Sequence, residues 1–115
     1  MKVYGIKNCN TVKKALDWFK ANEVEYEFHD FKKSGISEQK LQEWESKAGY
    51  LQFVNKQGLT WKQLDPAVKE SVKGVAEALP LLQEKTSMIK RPVIEDDGFL
   101  FFGFDEAVYK KHFNK

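Results

Sequence analysis

The chain has 115 residues, 42% of them hydrophobic and 31% charged, with a formal net charge of +2. That length can bury a real core as one domain, residues 1–115, without disulfides or metals, and the composition carries no disorder signature. The small charge gives no support to a nucleic-acid role; a lone cysteine cannot form an internal disulfide, and one Cys with two distant histidines, His29 and His112, does not suggest a metal cluster.

The first residues, MKVYGIKN, are too short and too polar a run for a signal peptide. No apolar run approaches the ~18 residues of a membrane span. Both points predict a cytoplasmic protein, where a lone thiol stays reduced unless it is used. Lys2–Lys7 is a short apolar run of strand length, and Asn8–Asn10 is a turn cluster. Thr11–Asn22 reads as a helix, because Val12, Ala15, Leu16 and Phe19 recur at i, i+3, i+4 and i+7. Glu25–Phe31 (EYEFHDF) alternates polar and aromatic residues, as a half-buried strand does. Strand, helix and strand with tight links suggest a βαβ unit with parallel strands.

Ser37 caps a second helix that ends at Gly49. LQFVNKQGLTWKQLD is mixed, with a turn at Gln57-Gly58. Asp65-Pro66 places an N-cap before a proline at the first helical position. Gly74–Lys85 is helical, with Pro80 inside it or at a restart. Strands then return. Pro92–Asp96, a turn at Asp97-Gly98 and Phe99–Phe102 form a hairpin. Asp105–Phe113 closes as a helix, acidic residues first and basic residues last, as the helix dipole favours. The order is β-α-β, a helical insertion over about 34–88, then β-β-α: an α/β fold.

Cys9 falls just past the first strand, at the start of the first helix. A helix start offers unpaired N–H groups and about half a positive charge, and cysteines there are activated as thiolates. Lys7, Lys13 and Lys14 add positive charge, and the Thr11 hydroxyl is placed to donate to sulfur. These are the parts of an activated nucleophile. The plainer alternative is a small buried hydrophobe, though such a residue fits better inside an apolar run than between Asn8 and Asn10.

Arg91 and Pro92 open the predicted hairpin. Arg91 can offer a guanidinium to a thiolate, carboxylate or oxyanion, and an X-Pro bond there can be cis. On these residues alone, a solvated arginine and an ordinary trans proline at a strand start remain the plainer readings. His29 reads as structural, His112 as a cap on helix carbonyls, and Trp18, Trp44 and Trp61 as packing. The lysine stripe Lys13, Lys14, Lys20 reads as a solvated face.

Four stretches, YGIKNCNTVKKAL (4–16), FHDFKKSGIS (28–37), GLTWKQLD (58–65) and MIKRPVIEDDGFLFFGFDEAVY (88–109), resemble the arsenate reductase-like (ArsC) family. Its YffB-type branch looks nearest, with Spx-type transcriptional regulators as cousins. The resemblance spans essentially the whole chain. It implies a thioredoxin-like fold, with β-α-β and β-β-α around a mixed four-stranded sheet and a central helical insertion. It also implies that Arg91-Pro92 lies beside Cys9, that the bond before Pro92 is cis, and that glutathione or a related thiol is the partner of Cys9.

The chain departs from arsenate reductases of this type. Their His four residues before the cysteine is Gly5 here, and their Ser three residues after it is Val12. Of three oxyanion-binding arginines Arg91 matches one; the other positions fall near Asn55 and Gly103. An oxyanion site so reduced lacks most of its charge-assisted hydrogen bonds, each worth about 1.5–3 kcal/mol. Spx-type redox switching uses a CxxC pair, and Val12 stands at the second position.

Two readings follow. The first is a monomeric glutathione-dependent monothiol thiol–disulfide oxidoreductase. Cys9 is its nucleophile, Thr11 and Arg91 assist, and Lys7, Asn8, Asn10 and Pro92 bind glutathione, with glutathione as co-substrate and no metal. The second is an Spx-like module without catalysis that binds RNA polymerase or another protein. Neither involves nucleic acid or a membrane, and arsenate reduction ranks below both.

Overall fold

A computed structural model describes residues 1–115. Four strands, β1 (Lys2–Gly5), β2 (Glu27–Asp30), β3 (Val93–Asp96) and β4 (Phe99–Phe102), form one sheet in the order β2-β1-β3-β4. β1 runs parallel to β2, with Val3 opposite Phe28, and antiparallel to β3, with Val3 opposite Ile94. β3 and β4 form the expected hairpin, in which Asp97 and Gly98 have φ of 41° and 88°. Positive φ at both central residues suits a two-residue hairpin loop and explains the Asp-Gly pair.

Two helices cover one face of this sheet. α1 (Asn10–Ala21) turns Val12, Ala15, Trp18 and Phe19 inward, the face its spacing predicts. α7 (Glu106–Phe113) contributes Tyr109, which is fully buried among Val3, Ile94, Ala15, Trp18 and Phe19. The α7 start is capped by the Asp105 carboxylate, which accepts from Val108 N–H at 3.2 Å.

Contacts divide the chain into two compact units, Met1–Phe31 with Arg91–Lys115, and Lys32–Lys90. Between β2 and β3 the chain forms α2 (Phe31–Ser34), α3 (Glu38–Ala48), α4 (Leu59–Lys62), α5 (Pro66–Ser71) and α6 (Val75–Glu84). Local signals set the starts of α3 and α5: Ser37 Oγ accepts from Lys40 N–H at 3.1 Å and Asp65 Oδ1 from Ala67 N–H at 2.9 Å. Leu41, Trp44, Phe53, Leu79, Leu82, Met88 and Ile89 are among the buried residues of this segment. Pro80 lies inside α6, which runs through it. No helix is long and apolar enough to cross a membrane.

Several details differ from the sequence-based expectation. β1 stops at Gly5 rather than Lys7, and β2 ends at Asp30, the partner of Gly5. Beyond that pair the strand has no neighbour, so Phe31 turns into α2 and buries its ring. α4 and single 3₁₀ turns at Tyr50–Gln52 and Thr86–Met88 were not expected. His112 does not cap helix carbonyls. Its Nε2 lies 2.9 Å from Asp96 Oδ2 and its ring stacks on Phe99 at 3.7 Å. Asn114 in the left-handed conformation (φ 59°) and Lys115 N–H, donating to Lys110 O at 2.9 Å, close the helix instead.

Candidate functional site at one end of the sheet

The sheet brings three strand ends together. β1 points its carboxyl end toward Cys9. Tyr4 lies opposite Val93, the first residue of β3, so the carboxyl end of β1 adjoins the start of β3, which Arg91-Pro92 immediately precedes. Gly103 directly follows β4, and its N–H donates to Pro92 O at 2.8 Å. The Cys9 loop, the Arg91-Pro92 segment and Gly103 therefore leave the sheet at one end. The Arg91–Pro92 peptide bond is cis.

Cys9 is the N-cap of α1. Its backbone is extended (φ −146°, ψ 124°), its carbonyl accepts from Lys13 N–H at 2.9 Å, and its side chain makes no capping bond. The sulfur is thus left uncommitted, and the residue is partly exposed and free of any disulfide. Asn10 and Thr11 form the first turn, whose N–H groups have no acceptor within the helix. That turn carries no acidic residue. Lys7, Asn8, Asn10, Thr11, Lys13 and Lys14 are exposed around it, and Arg91 is half-buried. The structure thus gathers all seven predicted site residues at one end of the sheet. It draws no hydrogen bond from the Thr11 hydroxyl to the sulfur.

Gly5 and Val12 explain how tightly this end is built. A Cβ on Gly5 would lie 2.9 Å from Val12 Cγ2, closer than carbon atoms approach. Glycine lets β1 meet the first turn of α1, and the stiff β-branched Val12 fills the space. This pair occupies the positions where arsenate reductases of this type carry His and Ser. Asn55 and Gly103, near which the resemblance places the two other arginine positions, are engaged locally: Asn55 Oδ1 accepts from Gln57 N–H at 3.1 Å, and Gly103 N–H donates to Pro92 O.

Sequence reasoning missed Tyr109. Its hydroxyl donates to Gly103 O at 2.6 Å. Its ring stacks on Phe19 of α1 at 5.3 Å and meets Trp18 edge-on at 5.4 Å. Burial, and then the Asp105 carboxylate, push the Tyr109 phenol above its ordinary range, so it stays a donor. The spacing of α7 marks it only as a core residue; the available signal was a tyrosine where phenylalanine would pack equally well. His29 is structural, with its ring 5.0 Å from that of Tyr4, whose hydroxyl donates to Glu95 Oε1 at 2.7 Å.

Comparison with known proteins agrees with this geometry. Residues 4–112 match the model of the ArsC family. An uncharacterised Haemophilus influenzae protein is 42% identical over 111 residues, 96% of each chain. A solved structure of a YffB protein superposes with a TM-score of 0.90 at 39% identity, covering 96% of both chains. An arsenate reductase (ArsC) related protein from Brucella melitensis gives a TM-score of 0.77 at 38% identity, over 99% of this chain and 94% of its own. The thioredoxin-like arrangement of the sheet and helices is the one these neighbours share, and the chain belongs to the ArsC family, as an arsenate reductase-like protein of the YffB type.

Proposed function

We propose that the protein is a glutathione-dependent thiol–disulfide oxidoreductase that works with one thiol, Cys9. The observation that carries this reading is the uncommitted, partly exposed sulfur at the N-cap of α1, with a half-buried cation, Arg91, at the same end of the sheet. Membership of the ArsC family supports it.

In the proposed cycle the Cys9 thiolate attacks the glutathione sulfur of a mixed disulfide. The substrate S–S bond breaks, the substrate thiolate leaves and takes up a proton, and a Cys9–glutathione disulfide forms. A second glutathione thiolate attacks the glutathione sulfur of that disulfide, releasing Cys9 thiolate and oxidised glutathione. The chain has no second cysteine to do this step. Lys7, Lys13, Lys14 and the first-turn N–H groups give the attacking sulfur an electropositive setting. Arg91 holds a glutathione carboxylate; Lys7, Asn8 and Asn10 line the rim, and the Pro92 segment orients the bound peptide. Thr11 donates to sulfur only after its hydroxyl rotates toward it.

Arsenate reduction is a poorer fit, because Arg91 stands without the two further arginines and Gly5 replaces the histidine. The test is turnover of a glutathionylated peptide with glutathione. Wild type should turn over and Cys9→Ser should not; a Cys9→Ser protein with full activity would sink the reading. Recovery of RNA polymerase by wild type and Cys9→Ser alike, with no turnover, would favour the Spx-like binding module.

A further inference from the structure

We propose that Tyr109 is a positioning residue for this site, bracing the Cys9 helix with its ring and holding the Pro92 segment with its hydroxyl. The proposal rests on the thiol-transfer reading above. Two halves of the site come from distant parts of the chain: Cys9 from the start of α1, and Arg91-Pro92 from the start of β3. The β1–β3 pairing sets them side by side but ends at Tyr4 and Val93, so the segments beyond it, which carry Cys9 and Arg91-Pro92, need support from beneath.

Tyr109 touches both halves. Its ring packs on Phe19 and Trp18, two of the inward residues of α1, and it is 0% exposed. Its hydroxyl donates to Gly103 O, and Gly103 N–H donates to Pro92 O. Both groups of the Gly103 backbone are thus used, one toward the core and one toward the site. Gly103 has φ of +103°, a conformation that side-chain-bearing residues rarely adopt. The relay of Tyr109, Gly103 and Pro92 therefore ends on the segment that bears Arg91. Phenylalanine would fill the same space in the aromatic core; only the hydroxyl makes the relay. Because the phenol is held protonated, it donates throughout the neutral range.

Tyr109→Phe separates the two roles, since it keeps the ring and removes the donor. With a glutathionylated peptide as substrate, KM should rise about tenfold, the value of one buried hydrogen bond, while kcat and the rate of Cys9 alkylation by iodoacetamide hold. The Gly103 amide should exchange its hydrogen at least about tenfold faster. Phe113→Leu is the control: Phe113 also packs on Tyr109, ring centroids 6.3 Å apart, but bears no donor, so it should lower the melting temperature and leave KM unchanged. An unchanged KM or an unchanged Gly103 exchange rate in Tyr109→Phe would overturn the proposal while the thiol-transfer reading stands. A KM raised equally by Phe113→Leu would also overturn it, since the effect would then be general loosening. A wild-type protein without turnover would overturn the reading itself, and this proposal with it.

Discussion

The two ends of the sheet are closed in different ways. At the hairpin end, side chains close on one another: Asp96 meets His112 at 2.9 Å, and His112 stacks on Phe99 at 3.7 Å. At the Cys9 end the closing bonds belong to the backbone. Pro92 and Gly103 are tied by their main chains, with one buried hydroxyl gripping from below. The polar side chains there, Lys7, Asn8, Asn10 and Thr11, remain exposed. One end spends its polar side chains on stability. The other leaves its polar side chains in solvent, on a loop carried by the rigid sheet.

The largest effect that tests this contrast is on activity. Cys9→Ser should abolish thiol transfer with the melting temperature nearly unchanged, because the side chain caps nothing. A large loss of stability in that variant would mean the sulfur is a packing element after all.

Next comes Gly5→Ala. Its new methyl would lie 2.9 Å from Val12 Cγ2, and overpacking of this kind costs about 1–3 kcal/mol. Chemical denaturation should show that loss, and the Cys9 alkylation rate should change, since the first turn of α1 must move. Adding Val12→Ala should recover most of the stability, because contacting residues couple. Additive losses would show that the two positions are independent.

Tyr109 supplies a pH signature confined to the Cys9 end. Its phenol is raised above the ordinary value of 10.0 in the folded state. The folded state therefore holds the proton more tightly than the unfolded chain. That contribution is present in full below about pH 10 and is lost as pH rises from there toward the folded-state value. The stability difference between wild type and Tyr109→Phe should narrow above pH 10. A difference that stays constant to pH 11 would show that the hydroxyl is not buried as described.

Much of this was legible in the residues, for reasons that are local. The apolar spacing of α1, the Asp-Gly turn and the Asp65-Pro66 cap each act within a few positions, and each forms as read. Cys9 could be placed because a strand run and a helix run abut it. What escaped depends on pairing across the chain. β2 ends where β1 ends, which no residue near Asp30 announces. α4 starts at Gly58 with no side-chain cap, so it carries no start signal. Tyr109 sits on the apolar stripe of α7, and its hydroxyl becomes meaningful only once Gly103 is tied to Pro92. His112 looked like a helix cap because its true partner, Asp96, is brought near by the hairpin fold.

That partner gives the smallest test, and the one that bears most directly on the contrast. His112→Ala removes a ring stack and a half-exposed polar contact, together worth about 1 kcal/mol. For a chain of this size the melting temperature should fall by about 4 °C. The hairpin end holds no proposed site residue, so KM and kcat for the glutathionylated peptide should stay within error of wild type. The comparison with Tyr109→Phe is then between two losses of similar thermodynamic size at opposite ends of the strands, one a buried hydrogen bond and the other a ring stack with a polar contact. If both raised KM alike, the site would depend on the stability of the whole sheet. If only Tyr109→Phe does, the Pro92 end is held by its own relay, and the hairpin end is a fastener whose loss the chemistry does not feel.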